Sequence, residues 1–232
     1  SPEKISSEKS NYRTPSFSPD GKWIVFEKDG TDFLMGLAYT ANPGIYTMPA
    51  NGGASTFVTD KGSSPVYNQK GNRIYYQSGG GLNFNFSSCK SDGSDDRIHI
   101  KSTYGSNFTI SPDEKWIAFI DLHKVYVAAF PQTGKTIDLG SATTDFPVKQ
   151  VAKDAGFNLN WSSDSRQLHY TLGSQYFTIN LDERFGFIAN KPDSLFKMPE
   201  KGIEAGLTIE MNKPKGTIAF TNARIITMKG DE

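Results

Sequence analysis

Few residues in this chain are of types that could do chemistry. They are three histidines, one cysteine and some local clusters of carboxylates and glycines. His99, His123 and His169 are scattered, and no His-x-His pair is present to seat a water-activating metal. His169 takes the place of an apolar or aromatic residue in a strand-like run and reads as a packed or edge histidine rather than a ligand. His123, in the short Asp121-Leu122-His123-Lys124 turn, reads as solvated. His99 alternates with Ile98 and Ile100, which suits a strand with one wet face. Serines are numerous, but no Gly-x-Ser-x-Gly elbow marks one as a nucleophile. Gly134-Lys135-Thr136 resembles the end of a phosphate loop, yet the required earlier glycine falls at Ala129 and no helix pattern follows. A hairpin is read there instead. Gly79-Gly80-Gly81 reads as a flexible inter-strand loop. The Asp92-Gly93-Ser94-Asp95-Asp96 cluster could hold a hard cation, but its spacing departs from the calcium loop and it reads as a hairpin turn. Cys89 reads as an inert free thiol. Leu82-Asn83-Phe84-Asn85-Phe86 alternates strictly, so its phenylalanines are expected to pack a sheet rather than form a ligand box. No catalytic, cofactor-binding or metal-binding residue is therefore assigned within these residues.

The frame that would hold such residues is much more clearly written. The chain has 232 residues, with Lys plus Arg and Asp plus Glu at 25 each. Zero formal charge argues against nucleic acid or an anionic membrane as the main partner. A single cysteine excludes an internal disulfide framework and a four-cysteine zinc site. No apolar run reaches the roughly 18 residues of a membrane-spanning helix. The opening Ser1-Pro2-Glu3-Lys4 is polar, with no apolar signal core.

An internal repeat dominates. Pro15-Ser16-Phe17-Ser18-Pro19-Asp20-Gly21-Lys22-Trp23-Ile24-Val25-Phe26 recurs from Pro65, from Thr109 and from Asn160. With Asp20, Lys70, Asp113 and Asp164 as equivalents, the spacings are 50, 43 and 51. Short β-like runs at such a period are the signature of propeller blades. Ser18-Pro19-Asp20-Gly21 has the chemistry of a tight turn. Glu114 and Ser165 occupy the glycine position, where a left-handed backbone strains a side chain by about 1 kcal/mol. The run after each turn is apolar on both faces, as in a sheet packed between two others.

The pattern predicts further strands around Gly44–Met48 and Ser55–Thr59 in the first copy, with a turn at Asn51-Gly52-Gly53. In the third copy it predicts a third strand at residues 124–130, a turn at Gln132-Thr133-Gly134 and a fourth strand at 136–139. Residues 29–43 read as an insertion and 182–202 as a long excursion. Residues 1–7 mimic the stretch before Pro65 and are expected to be the last strand of a preceding blade. The domain reading is 1–13, end of a preceding blade and linker; 14–202, blades at about 14–60, 64–101, 105–140 and 156–202; and 203–232, a final strand and a β segment.

The Pro-x-Phe-Ser-Pro-Asp-Gly-Lys-x-Ile-Val-Phe pattern resembles the TolB-like, WD-repeat-like β-propeller family. The likeness covers roughly residues 3–181. The second copy departs from it, with Asn68-Gln69-Lys70-Gly71 in place of Ser-Pro-Asp-Gly. The resemblance implies an all-β propeller of four-stranded blades and no single function, because such propellers serve as periplasmic binding modules and as covers on hydrolases.

The run Thr221-Asn222-Ala223-Arg224-Ile225-Ile226-Thr227-Met228 is similar to the opening of metal-dependent amidohydrolases, where it begins a small β-sandwich beside the catalytic barrel. By periodicity the tail is two short strands. Together the two resemblances imply an accessory propeller of an amidohydrolase-type hydrolase acting on C–N bonds other than peptide bonds. The alternative is a stand-alone TolB-like periplasmic protein-binding module. A divalent metal such as zinc is implied only in a barrel after Glu232. The implied partners are that barrel or an envelope protein. The implied location is periplasmic or secreted, and an oligomer is left open.

Overall fold

The computed structural model describes residues 3–8, 10–29, 42–190, 192 and 196–206, and then 210, 211, 213, 215–217, 219, 221–224 and 226. Four sheets follow one another along the chain, antiparallel except for one short strand added to the second. The first holds β1 (Asn11–Phe17), β2 (Trp23–Asp29), β3 (Gly44–Pro49) and β4 (Thr56–Thr59). The second holds β5 (Ser63–Tyr67), β6 (Arg73–Gly80), β7 (Asn83–Lys90) and β8 (Arg97–Ser102). The third begins with β9 (Gly105–Ile110), β10 (Trp116–Asp121) and β11 (Lys124–Ala129). The fourth holds β14 (Phe157–Trp161), β15 (Gln167–Leu172), β16 (Gln175–Asn180) and β17 (Ile203–Glu204).

The repeat turn is built the same way in three blades. Ser18 Oγ donates to Asp20 Oδ1 at 2.6 Å and accepts from the Trp23 N–H at 2.9 Å, while Asp20 Oδ1 accepts from the Lys22 N–H. Ser111 with Asp113, and Ser162 with Asp164, repeat this pattern. The second blade does it with one residue. Asn68 Oδ1 accepts from the N–H groups of both Asn72 and Arg73 at 3.0 Å. The departure seen at Asn68 in sequence therefore preserves the turn.

Glu114 and Ser165 adopt φ of 58° and 62°, beside 70° at Gly21 and Gly71. Their side chains explain why glycine is absent. Glu114 accepts from Asn68 Nδ2 and the Tyr75 hydroxyl of the preceding blade, and from Gln132 Nε2. Ser165 Oγ accepts from the Asp113 N–H of the blade before it. Glu114→Gly removes backbone strain but strands the Tyr75 hydroxyl, so a net loss of about 1 kcal/mol is expected in urea unfolding. A gain in stability would show that the backbone term dominates.

Alternate residues of each second strand serve opposite interfaces. Val25, Ile45 and Val58 of the first sheet pack on Ile74, Tyr76 and Cys89 of the second. Tyr75, Phe86 and Ile100 of the second meet Ile117, Phe119 and Ala128 of the third. Ala118, Ile120 and Val127 of the third meet Leu168, Tyr170 and Phe177 of the fourth. The two-faced burial expected from sequence is thus what stacks the sheets in chain order.

Each first strand also carries a bulge. Thr14, Ser64, Asn107 and Asn158 all have φ between 44° and 53°, and the register slips beside each one. Two of the freed amides are capped by the preceding blade: Glu27 Oε1 accepts from Ser64 N–H and Gln77 Oε1 from Phe108 N–H. Two residues before the bulge, Gly62 and Gly156 lie so close to Tyr76, and to Val125 and Tyr170, that a Cβ would clash. A Gly-x-Ser/Asn signal thus marks the start of the second, third and fourth blades.

Several expectations are corrected. The fourth strand of the third blade is β13 (Val148–Ala155), antiparallel to β11. Residues 137–138 form β12 (Ile137–Asp138), which crosses back and pairs parallel with β8. Leu139 is buried in the core between the second and third sheets, which favours that crossing. Gln132-Thr133-Gly134 is accordingly a connection rather than a hairpin. Gly79 and Gly80 are ladder residues of β6, and Gly81-Leu82 is a two-residue turn into β7, so a flexible loop is not seen there. Asp29 ends β2 opposite Asn11 rather than opening the insertion, and residues 30–41 of that insertion lie outside the described residues.

Near the start, Ser6 forms an isolated parallel bridge with Gly53. The excursion after β16 opens with α1 (Leu181–Arg184) and a 3-10 turn at Gly186–Ile188. Arg184 Nε donates to the Gln150 carbonyl, and Lys153 pairs with Glu200, so the excursion covers the outer edge of β13. In the tail, Ile218, Phe220, Ile225, Thr227 and Met228 lie outside the described residues. The described ones among 206–226 form no strand.

Candidate functional site

The repeat turns converge at one end of the stacked sheets, and a cleft of about 700 Å³ opens there between the first and second blades. Trp23 and Tyr67 supply its aromatic walls, and Asp20, Asp92 and Lys70 its charged rim. Trp23 starts β2 directly after the turn and stays 45% exposed, although the sequence pattern reads it as a packed strand residue. Burial first, and then the nearby Asp20, push the Tyr67 phenol up to about 12. The Ser18 hydroxyl and then the Lys22 N–H hold the Asp20 carboxyl below its ordinary range. Ser94, through its hydroxyl and its N–H, does the same for Asp92. At neutral pH the cleft therefore offers two carboxylates, one neutral phenol and an indole face. That combination suits stacking plus hydrogen-bond acceptance.

The histidines are not brought together. His99 does not lie on a wet face. A register slip in β8 turns Ile98 outward and Ile100 inward, and packs the His99 ring against Tyr75 and Phe130. Its Nε2 lies 2.7 Å from Ser88 Oγ, which also accepts from Arg73 Nε. Burial, followed by the Arg73 and Arg97 charges, lowers its pKa to about 4. Ser88 is fully buried, so this serine–histidine contact has no path to a substrate. His123 is an exposed turn residue, as expected. His169 is half-buried, bonded through Nδ1 to Thr178 Oγ1 and stacked on Tyr176.

Cys89 is fully buried, and burial pushes its thiol up to about 11, which suits an inert thiol. The carboxylates of the Asp92–Asp96 cluster are individually engaged. Asp92 bonds Ser94, Asp95 bridges Arg73 and Arg97, and Asp96 pairs with Lys61 and the Tyr76 hydroxyl. Among the described residues no group of three or more His, Cys, Asp or Glu could hold a metal ion. Phe86 is buried and Phe84 packs against the same core, as the alternation predicts. No described helix is long and apolar enough to cross a membrane.

No family model and no curated protein matches the sequence. Solved structures do. TolB from Acinetobacter baumannii aligns over 76% of this chain and 42% of its own, at 19% identity and a TM-score of 0.54. A structure from Agrobacterium tumefaciens assigned to TolB aligns over 75% and 78%, at 13% identity and a TM-score of 0.47. The propeller domain of the Trilobed protease from Pyrococcus furiosus aligns over 74% and 53%, at 8% identity and a TM-score of 0.48. The chain spans less than half the length of the A. baumannii protein. Four successive blades, the second widened to five strands by β12, and the likeness to TolB give the same answer: the chain has the TolB-like β-propeller fold.

Proposed function

We propose that the chain is the accessory propeller of an amidohydrolase-type, metal-dependent hydrolase acting on C–N bonds other than peptide bonds. The observation that carries this reading is the Thr221-Asn222-Ala223-Arg224-Ile225-Ile226-Thr227-Met228 run placed directly after blade sequence. In this reading the propeller binds substrate in the Trp23–Tyr67 cleft and shapes access to a barrel that follows Glu232. That barrel holds the divalent metal, and the protein is periplasmic or secreted. The reading expects the full-length gene to continue past Glu232 with a His-x-His pair on an early barrel strand. In the full-length protein, Trp23→Ala should raise KM about tenfold with kcat unchanged, because it removes binding shared by ground and transition states. An unchanged KM would remove the cleft from the reading.

A second reading is a stand-alone TolB-like periplasmic protein-binding module. It is favoured by the fold-level likeness to A. baumannii TolB. It expects an envelope-protein partner and no hydrolysis.

A further inference from the structure

Trp23 and Trp116 hold the same place in two copies of the repeat. Each opens the second strand of its blade, straight after the Ser-x-Asp turn. The Trp23 N–H donates to Ser18 Oγ at 2.9 Å, and the Trp23 carbonyl accepts from the Ser18 N–H at 2.8 Å. Trp116 makes the same pair of bonds with Ser111, at 3.0 and 2.9 Å. Trp23 shares a cleft with Tyr67, the residue before the next blade's turn. Trp116 packs in one core with Trp161, which stands where Tyr67 stands.

The two tryptophans differ in what covers them. The fully buried Phe185 ring lies 4.7 Å from the Trp116 ring, and Phe187 stacks on the same indole at 6.3 Å. Both phenylalanines belong to the connection after β16, the third strand of the fourth blade. The Leu181 N–H anchors that connection on the Arg166 carbonyl. Between the first and second blades the corresponding connection follows β7. It is the short run Ser91-Asp92-Gly93-Ser94-Asp95-Asp96, which has no aromatic residue. Ser91 and Asp92 line the cleft without bringing a ring to it. Trp23 stays 45% exposed beside a space of about 700 Å³. One junction thus has a tryptophan with its aromatic cover, and the other has the tryptophan alone.

We propose that the Trp23–Tyr67 cleft binds an aryl ring, which lies on the Trp23 indole as Phe185 lies on Trp116. Ring against ring is favoured over an aliphatic group of similar area by about threefold to tenfold in affinity. At the rim, Asp20 and Asp92 accept hydrogen bonds and Lys70 donates them, so polar groups attached to the ring are held there. The proposal gives a ligand class to the cleft that the hydrolase reading uses, and to that extent it rests on that reading. The comparison of the two tryptophans carries the class itself.

Two phenyl ligands, titrated into the protein and followed by NMR, give the test. One is N-acetyl-phenylalanine amide. The other is acetyl-Arg-Phe-Gly-Phe-Ile-amide, which copies residues 184–188. A saturable shift of the Trp23 indole N–H is expected with both. The Trp116 indole should not move, because its own Phe185 is tethered and outcompetes a free ligand. Ligands with leucine in place of each phenylalanine should bind about threefold to tenfold more weakly. Trp23→Leu should weaken the phenyl ligands about tenfold, read at the Gly71 and Asp92 amides. If that variant unfolds, the phenyl-against-leucine comparison in the parent protein still decides. No saturable shift with either phenyl ligand, equal binding of the leucine forms, or equal affinity in a folded Trp23→Leu would overturn the proposal. Tighter binding of the peptide than of the single amide points to a side chain of a partner chain, and equal binding to a free aromatic molecule. Both support the site. Phenyl binding with an unchanged KM in Trp23→Ala would keep this site and remove it from the hydrolase reading. A raised KM without phenyl binding would do the reverse.

Discussion

Phe119→Ala is expected to lower folding stability by about 3–5 kcal/mol. Phe119 is fully buried in the third blade, on the face of β10 turned toward the second. Its ring stacks with Phe108 at 5.8 Å and Tyr126 at 5.6 Å. Removing it leaves a void between two sheets whose backbones are fixed by their own ladders, so collapse around the gap is limited. The urea midpoint should fall with little change in slope. Leu122→Ala, at a turn residue that is 71% exposed, serves as the control and should stay within about 0.5 kcal/mol of the parent. A loss under about 1 kcal/mol at Phe119 would mean that the second and third blades do not pack as described.

His99→Gln should remove most of the histidine-linked acid sensitivity of the fold. His99 titrates near 4 when folded, against 6.5 for a free histidine. Between those values the unfolded chain binds more protons, so stability rises with pH across the window. As pH falls below 6.5 the unfolded state is increasingly favoured, and the effect is complete below pH 4. For a side chain that keeps some solvent contact, the loss is of order 2 kcal/mol. Glutamine keeps a polar group beside Ser88 without titrating. The difference in stability between pH 7 and pH 4 should therefore shrink by about 2 kcal/mol in the variant, the carboxylate contributions being common to both proteins. Equal pH dependence in the two proteins would place His99 in water.

The blades were legible because their signals are local. A Ser-x-Asp turn followed by residues apolar on both faces leaves few alternatives to stacked sheets. The second copy still reads as a blade although Asn68 replaces the turn pair, since one amide oxygen can hold both N–H groups. Where partners come from distant sequence, the pattern failed. Residues 137–138 carry strand-like character but do not encode which edge they join, and burial of Leu139 between the second and third sheets decides for β8. His99 alternates correctly, yet one extra residue in β8 reverses its face, and periodicity cannot see a bulge.

The candidate sites were hidden for a similar reason. Trp23 has the composition of a core residue and is exposed only because it sits at the strand's start. The inner-strand bulges did leave a trace in Gly62-Ser63-Ser64, Gly105-Ser106-Asn107 and Gly156-Phe157-Asn158, a small-residue repeat overshadowed by the stronger turn signal.

The proposed hydrolase function requires the chemistry to lie in a domain joined to this propeller. The measurement that tests it most directly is metal content together with C–N bond hydrolysis in the full-length gene product. The account predicts stoichiometric divalent metal and amide or cyclic-amide hydrolysis that is abolished by chelation and restored by the metal. A gene product that ends at Glu232, or a longer one that binds no metal and hydrolyses no such bond, would contradict it.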